Sequence, residues 1–115
     1  MVEEIRKKTL REKVIEHHLD NHYTVTRIQL DKMLQDSVTE EIVFHDKELV
    51  ISFKLICGFT VMGKAAVVNS DKFDINTCRL LAYENAINQL WLLEGYRMQW
   101  KLCLDQISKE EKETL

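Results

Sequence analysis

The chain has 115 residues, 45% hydrophobic and 30% charged, with a formal net charge of −3. That composition fits one soluble globular domain and excludes a disordered chain. The acidic balance argues against broad binding to duplex nucleic acid, which needs a basic stripe. No run approaches the 18 apolar residues of a membrane span, and Met1-Val2-Glu3-Glu4-Ile5 does not open a signal peptide. A cytoplasmic protein without membrane contact is the expectation.

Zero prolines and three glycines favour long elements joined by tight turns. From Val2 to about Leu19, Ile5, Leu10, Val14, Ile15 and Leu19 form a narrow apolar stripe on a charged helix. Asp20-Asn21-His22 ends it. Tyr23 to Ile28 reads as helix or strand, and a short helix follows from about Arg27 to Leu34, broken by Gln35-Asp36-Ser37.

From Val38 the period changes to two. Val38, Ile42 and Phe44, then Leu49, Ile51, Phe53 and Leu55, are the apolar members of two strands joined at His45-Asp46-Lys47-Glu48. Cys57-Gly58 marks a second turn. Phe59 to Val68 is a third strand, with Gly63 at a bulge or a close approach. After the loop Asn69-Ser70-Asp71-Lys72, Asp74 or Asn76 caps a helix whose apolar stripe is Leu80, Tyr83, Ala86, Ile87, Leu90, Trp91 and Leu93.

Gly95 interrupts that stripe, and Tyr96 to about Gln106 continues as helix. Glu94-Gly95-Tyr96 is then a candidate turn between two helices. The fold class is α+β: a three-stranded antiparallel meander against a long C-terminal helix or helix pair, preceded by a helical segment. Residues 1–37 form the N-terminal extension and 38–115 the sheet and its helices, within one compact domain.

Three cysteines, Cys57, Cys78 and Cys103, support neither a disulfide framework nor a zinc site and read as reduced, mostly buried thiols. His18 and His22 are spaced i, i+4 but lack further ligands, so no metal is expected. No nucleophile elbow, phosphate loop or H-E-x-x-H occurs, and an enzyme is the least supported class; no cofactor is called for. Arg79, Arg97 and Lys101 lie among Phe59, Tyr83, Trp91, Tyr96 and Trp100. Those types suit a nucleotide, because Arg matches phosphate oxygens and rings stack on bases. They equally suit a helical core with a solvated rim. Asn85 and Asn88, weak helix formers, either face water or bond something specific.

Four ordered blocks carry a resemblance: Gly58-Phe59-Thr60-Val61-Met62-Gly63, Lys72-Phe73-Asp74, Ala82-Tyr83-Glu84-Asn85-Ala86 and Trp91-Leu92-Leu93-Glu94-Gly95-Tyr96. They resemble a family of small phage and prophage proteins with the pattern N-G-F-T-V-x-G, N-F-D, A-x-E-N-A and W-x-L-E-G-Y. That family is similar to the Thoeris anti-defence sponges of the first type. The resemblance implies an antiparallel sheet followed by two helices, and assembly into dimers or hexamers in the cytoplasm of an infected bacterium. It also implies a non-catalytic sponge that traps cyclic ADP-ribose isomers or CBASS-type cyclic di- or trinucleotides.

On that reading Arg79, Arg97 and Lys101 hold phosphate, Asn85 and Asn88 read polar groups, and Phe59, Tyr83 and Tyr96 stack. The sequence departs from the pattern at Cys57, where Asn usually precedes Gly, and at Leu92, which replaces a common Pro. Ile87 stands where an Arg often follows A-x-E-N-A. The alternative is an acidic phage protein that binds and inhibits a host protein through its N-terminal helix.

Overall fold

The computed structural model describes residues 8–13 and 23–114. Helix α1 spans Arg27–Gln35, strands β1, β2 and β3 span Val38–Phe44, Glu48–Lys54 and Thr60–Ala66, a 3₁₀ turn covers Ser70–Lys72, and helix α2 runs Ile75–Thr114. The sheet is an antiparallel meander in the order β1-β2-β3. The architecture is α+β, as the change of period at Val38 implies.

Each boundary has a local cause. Thr26 and Gln29 form a capping box at the start of α1: the Thr26 hydroxyl accepts the Gln29 N–H at 3.3 Å, and the Gln29 side chain accepts the Thr26 N–H at 2.9 Å. Asp74 caps α2 by accepting the Asn76 N–H at 3.1 Å and the Thr77 hydroxyl at 2.9 Å. Between β1 and β2, His45 and Asp46 both adopt positive φ, and Lys47 N–H closes the turn on the Phe44 carbonyl at 3.0 Å. Asp and His accept that region more readily than most side chains.

At the β2–β3 turn the positive φ, +96°, falls on Gly58 and not on Cys57. Cysteine therefore needs no unusual backbone at the position where the resembling family has Asn. Cys57 is exposed, which corrects its expected burial, whereas Cys78 is buried and Cys103 half-buried.

The core lies between one sheet face and the first half of α2. Leu49, Ile51, Phe53, Val61 and Ala65 meet Cys78, Ala82, Ala86, Ile87 and Leu90, and Leu30 and Leu34 of α1 close one side. Gly63 pairs in unbroken register with Ile51, so it is a close approach and not a bulge. A Cβ there would stand 1.9 Å from the Ala82 carbonyl oxygen and 3.3 Å from Ala86 Cβ. Helix and strand backbones touch at that point, and glycine permits it.

Of the long helix or helix pair expected, the structure has the single long helix: α2 continues through Gly95, where a Cβ would meet nothing within 4 Å, so the candidate turn at Glu94-Gly95-Tyr96 is corrected. A lone glycine lowers helix propensity by only about 1 kcal/mol, which neighbouring turns carry. Leu92, lacking proline's restraint, continues the helix as well. In the N-terminal segment, Lys8 and Thr9 precede the helical residues Leu10–Lys13, and Thr9 accepts the Glu12 N–H at 3.2 Å. The rest of the predicted Val2–Leu19 helix, and the histidines His17, His18 and His22, fall outside the described residues.

Candidate functional site

The block Ala82-Tyr83-Glu84-Asn85-Ala86 is the joint of the molecule. Ala82 and Ala86 face Gly63. Tyr83 donates its hydroxyl to Asp31 of α1 at 2.6 Å and sets its ring edge-on to Phe53, centroids 6.2 Å apart. Glu84 accepts two bonds from Arg27, at 2.8 and 2.5 Å, and Arg27 also reaches Asp31 at 3.0 Å. Asn85 accepts the backbone N–H of Lys64 at 3.0 Å. One turn on, Gln89 donates to the Met62 carbonyl at 2.6 Å and to Asn85 at 3.3 Å.

The electrostatics follow from these contacts. Burial, then the Asp31 hydrogen bond, pushes the Tyr83 hydroxyl up to about 12. The Tyr83 bond and then Arg27 hold the Asp31 carboxyl below the ordinary range, and Arg27 does the same for Glu84. Arg27 itself is held more firmly protonated by Glu84 and then Asp31. The cluster is a clamp between α1 and α2 in which one guanidinium holds two carboxylates. Its members Arg27, Asp31 and Glu84 were not among the sequence-predicted site residues. The i, i+4 spacing of Arg27 and Asp31 and the acid inside the Ala82–Ala86 block were the available signals.

The eight predicted ligand residues do not gather in one chain. Arg79 is engaged by Glu41 of β1 through bonds of 2.6 to 3.2 Å, with a further bond to Asn76 at 3.3 Å, and this contact lowers the Glu41 carboxyl and raises the guanidinium. Asn85 is an edge cap, and Tyr83 is half-buried in the clamp with the Arg27 guanidinium over its ring, 5.9 Å from the centroid. Asn88 is exposed on α2, and Phe59, 54% exposed, lies just before β3.

Tyr96, Arg97 and Lys101 form the remaining group. Arg79 and Arg97 are separated by about 27 Å along the axis at 1.5 Å per residue, so they cannot reach one small ligand from the same helix. By contrast, Arg97 and Lys101 are one turn apart, beside Tyr96 and Trp100, whose rings meet edge to face at 6.3 Å. Arg97 bonds Glu94 at 2.8 Å, and Lys101 lies 5.8 Å from the Tyr23 ring centroid. Tyr23 donates to Asp105, which raises the Tyr23 hydroxyl.

This face of α2 lies past the sheet. A seven-residue strand covers about 23 Å whereas 40 helical residues extend about 60 Å. Past Leu90 only Met98 is buried among the described residues, while Tyr96 is 67% and Trp100 54% exposed, with Leu92, Leu104 and Ile107 also exposed. Trp91 and Leu93, expected in the core, are partly exposed for the same reason. No group of three or more metal-ligating side chains occurs among the described residues, nor does any helix long and apolar enough to cross a membrane.

The joint and the overhanging face define a small α+β protein in which one helix both closes the core and presents an aromatic and cationic surface beyond it. Residues 9–102 match the family model described as Phage protein (N4 Gp49/phage Sf6 gene 66) family. The chain belongs to that family of phage proteins. Neither the curated proteins nor the solved structures yield a match.

Proposed function

We propose that this phage protein is a non-catalytic binding protein that sequesters a small anionic ligand of the cyclic-nucleotide class between copies of itself. The observation that carries the reading is the face of α2 beyond the sheet, where Tyr96, Arg97, Trp100 and Lys101 sit within two turns and two of the rings are more than half exposed. Rings offer stacking surfaces and the guanidinium offers a fork for phosphate oxygens. A single helix is convex, and small-molecule sites are concave, so enclosure on this face calls for a second protomer. Arg97 pairs with Glu94 across i, i+3 at 2.8 Å, the same fork geometry with which a guanidinium takes phosphate oxygens. The resemblance to the Thoeris anti-defence sponges supplies the ligand class: cyclic ADP-ribose isomers or cyclic di- and trinucleotides.

The test is retention. Purified protein is incubated with these cyclic nucleotides, separated from free ligand and heat-denatured, and the released material is analysed by mass spectrometry. Intact ligand is expected, and Arg97→Ala should lower retention at least tenfold without moving the melting temperature of the empty protein. Retention of none of them overturns the reading, and release of a linear product replaces it with an enzyme.

A second reading, binding of a host protein, is favoured by Leu92, Leu104 and Ile107, exposed on the same helix and of no use to a small polar ligand. One stoichiometric protein partner from host lysate, with indifference to nucleotides, would favour it.

A further inference from the structure

The two edges of the sheet are finished differently. On β3, the Lys64 N–H and the Met62 carbonyl are taken by Asn85 and Gln89 of α2, so both groups point away from β2. In an antiparallel ladder the N–H and C=O of one residue share a side, and the side alternates along the strand. Val50 and Ser52, opposite Lys64 and Met62, therefore turn theirs toward Ile42 and Glu40 of β1. By the same alternation Thr39, Glu41 and Val43 aim three N–H groups and three carbonyls at the outer edge of β1.

All seven residues of β1 are exposed. Four are apolar: Val38, Ile42, Val43 and Phe44. Long apolar edges of this kind template further strand pairing unless blunted, and among the described residues no α2 side chain bonds the β1 backbone as Asn85 and Gln89 bond that of β3. Glu41, the acid at the middle of the edge, is already matched by the Arg79 guanidinium.

We infer that β1 pairs antiparallel with β1 of a second copy, about a two-fold axis at Ile42, to give a continuous six-stranded sheet. The edge offers equal donors and acceptors, so it is complementary to itself. With the axis at Ile42, Glu41 stands opposite Val43 and Glu40 opposite Phe44 of the other copy, and no acid faces its own counterpart. On the sheet face away from α2, Val50 and Ile42 of both copies join in one apolar row, flanked by Lys64 at each end. An axis at Glu41 would set two carboxylates directly opposite, which is unfavourable in a cross-strand pair. The interface does not depend on the proposed ligand.

Residues at the axis form a non-hydrogen-bonded pair with Cα atoms about 4.5 Å apart, a separation a disulfide spans. Ile42→Cys in a Cys57→Ser background, mildly oxidised, is expected to give a covalent dimer, and Glu40→Cys in the same background little. Val43→Pro removes an outward N–H without touching the β2 ladder. It is expected to lower the native mass at least two-fold at equal concentration, with an unchanged helical circular dichroism signal. Should that variant fail to fold, Val43→Lys gives the same readout. A wild type at single-chain mass at high concentration, an unchanged mass in the edge variant, or the absence of an Ile42→Cys cross-link overturns the inference.

Discussion

Gly63→Ala tests the joint at its tightest point. The added Cβ would sit 1.9 Å from the Ala82 carbonyl oxygen and 2.8 Å from its carbon, with Ala86 Cβ at 3.3 Å. The first two obstacles are helix backbone, which cannot rotate aside as a side chain does. Reaching an ordinary 3.4 Å contact requires α2 to retreat by 1.5 Å. That retreat loosens the layer in which Ala82, Ala86 and Ile87 are fully buried and stretches the Asn85 and Gln89 bonds to β3.

Overpacking costs about 1–3 kcal/mol where side chains can yield, and each lost hydrogen bond adds about 1 kcal/mol. A destabilisation of about 3–5 kcal/mol is therefore expected, a large part of the roughly 5–15 kcal/mol that holds a domain folded. Urea denaturation followed by circular dichroism measures it, with Gly95→Ala as the internal contrast. At Gly95 nothing lies within 4 Å and the helix gains propensity, so a stabilisation of about 0.5–1 kcal/mol is expected. A loss below about 1 kcal/mol for Gly63→Ala, or equal losses at both glycines, would refute the close approach.

Three further outcomes follow from the polar contacts. Tyr83, pushed up to about 12, favours its neutral form in the fold, so its contribution is complete below pH 10 and lost as pH rises toward 12; alkaline unfolding should soften in Tyr83→Phe, and a late step in tyrosinate absorbance should disappear. The Asp31, Glu41 and Glu84 carboxyls, all held below their ordinary values, contribute stability that is present above about pH 4 and lost as pH falls through their folded values; acid titration of the urea midpoint should show this, and Arg27→Met should shrink it. Asn85→Ala exchanges a backbone bond for better helix propensity, so the melting temperature should move by only a few degrees, while light scattering should report increased self-association through the opened β3 edge.

Much of this architecture is legible in residue order because it rests on local rules. The change from helical to alternating spacing at Val38, the Cys57-Gly58 turn and the Asp74 cap each follow from a few neighbouring residues. Asn85 announced itself as out of place inside a helix, and the structure supplies its partner in the Lys64 N–H. What the sequence could not disclose is long-range. Nothing near Arg79 points to Glu41, 38 residues earlier, so a cation suited to phosphate proved to be a tie between helix and sheet. Trp91 and Leu93 continue the apolar spacing of Leu90, yet periodicity along a helix carries no information about where the opposing sheet ends.

The four blocks behind the family resemblance do not share one role. Gly58 supplies the positive φ of a turn and Gly63 the approach to Ala82. Phe73 packs on the core and Asp74 caps α2. Tyr83, Glu84 and Asn85 bind α1 and β3. Three blocks thus make the joint, and their recurrence in a relative would report the fold alone. The fourth, Trp91 to Tyr96, differs: Trp91, Leu92, Leu93 and Tyr96 are all partly or largely exposed, and a Cβ at Gly95 would meet nothing within 4 Å. The fold makes little use of these side chains, which leaves them available to something outside the chain. That places the search for a ligand or partner on the overhanging half of α2, and it makes substitutions there, unlike those in the joint, informative about binding without loss of the fold.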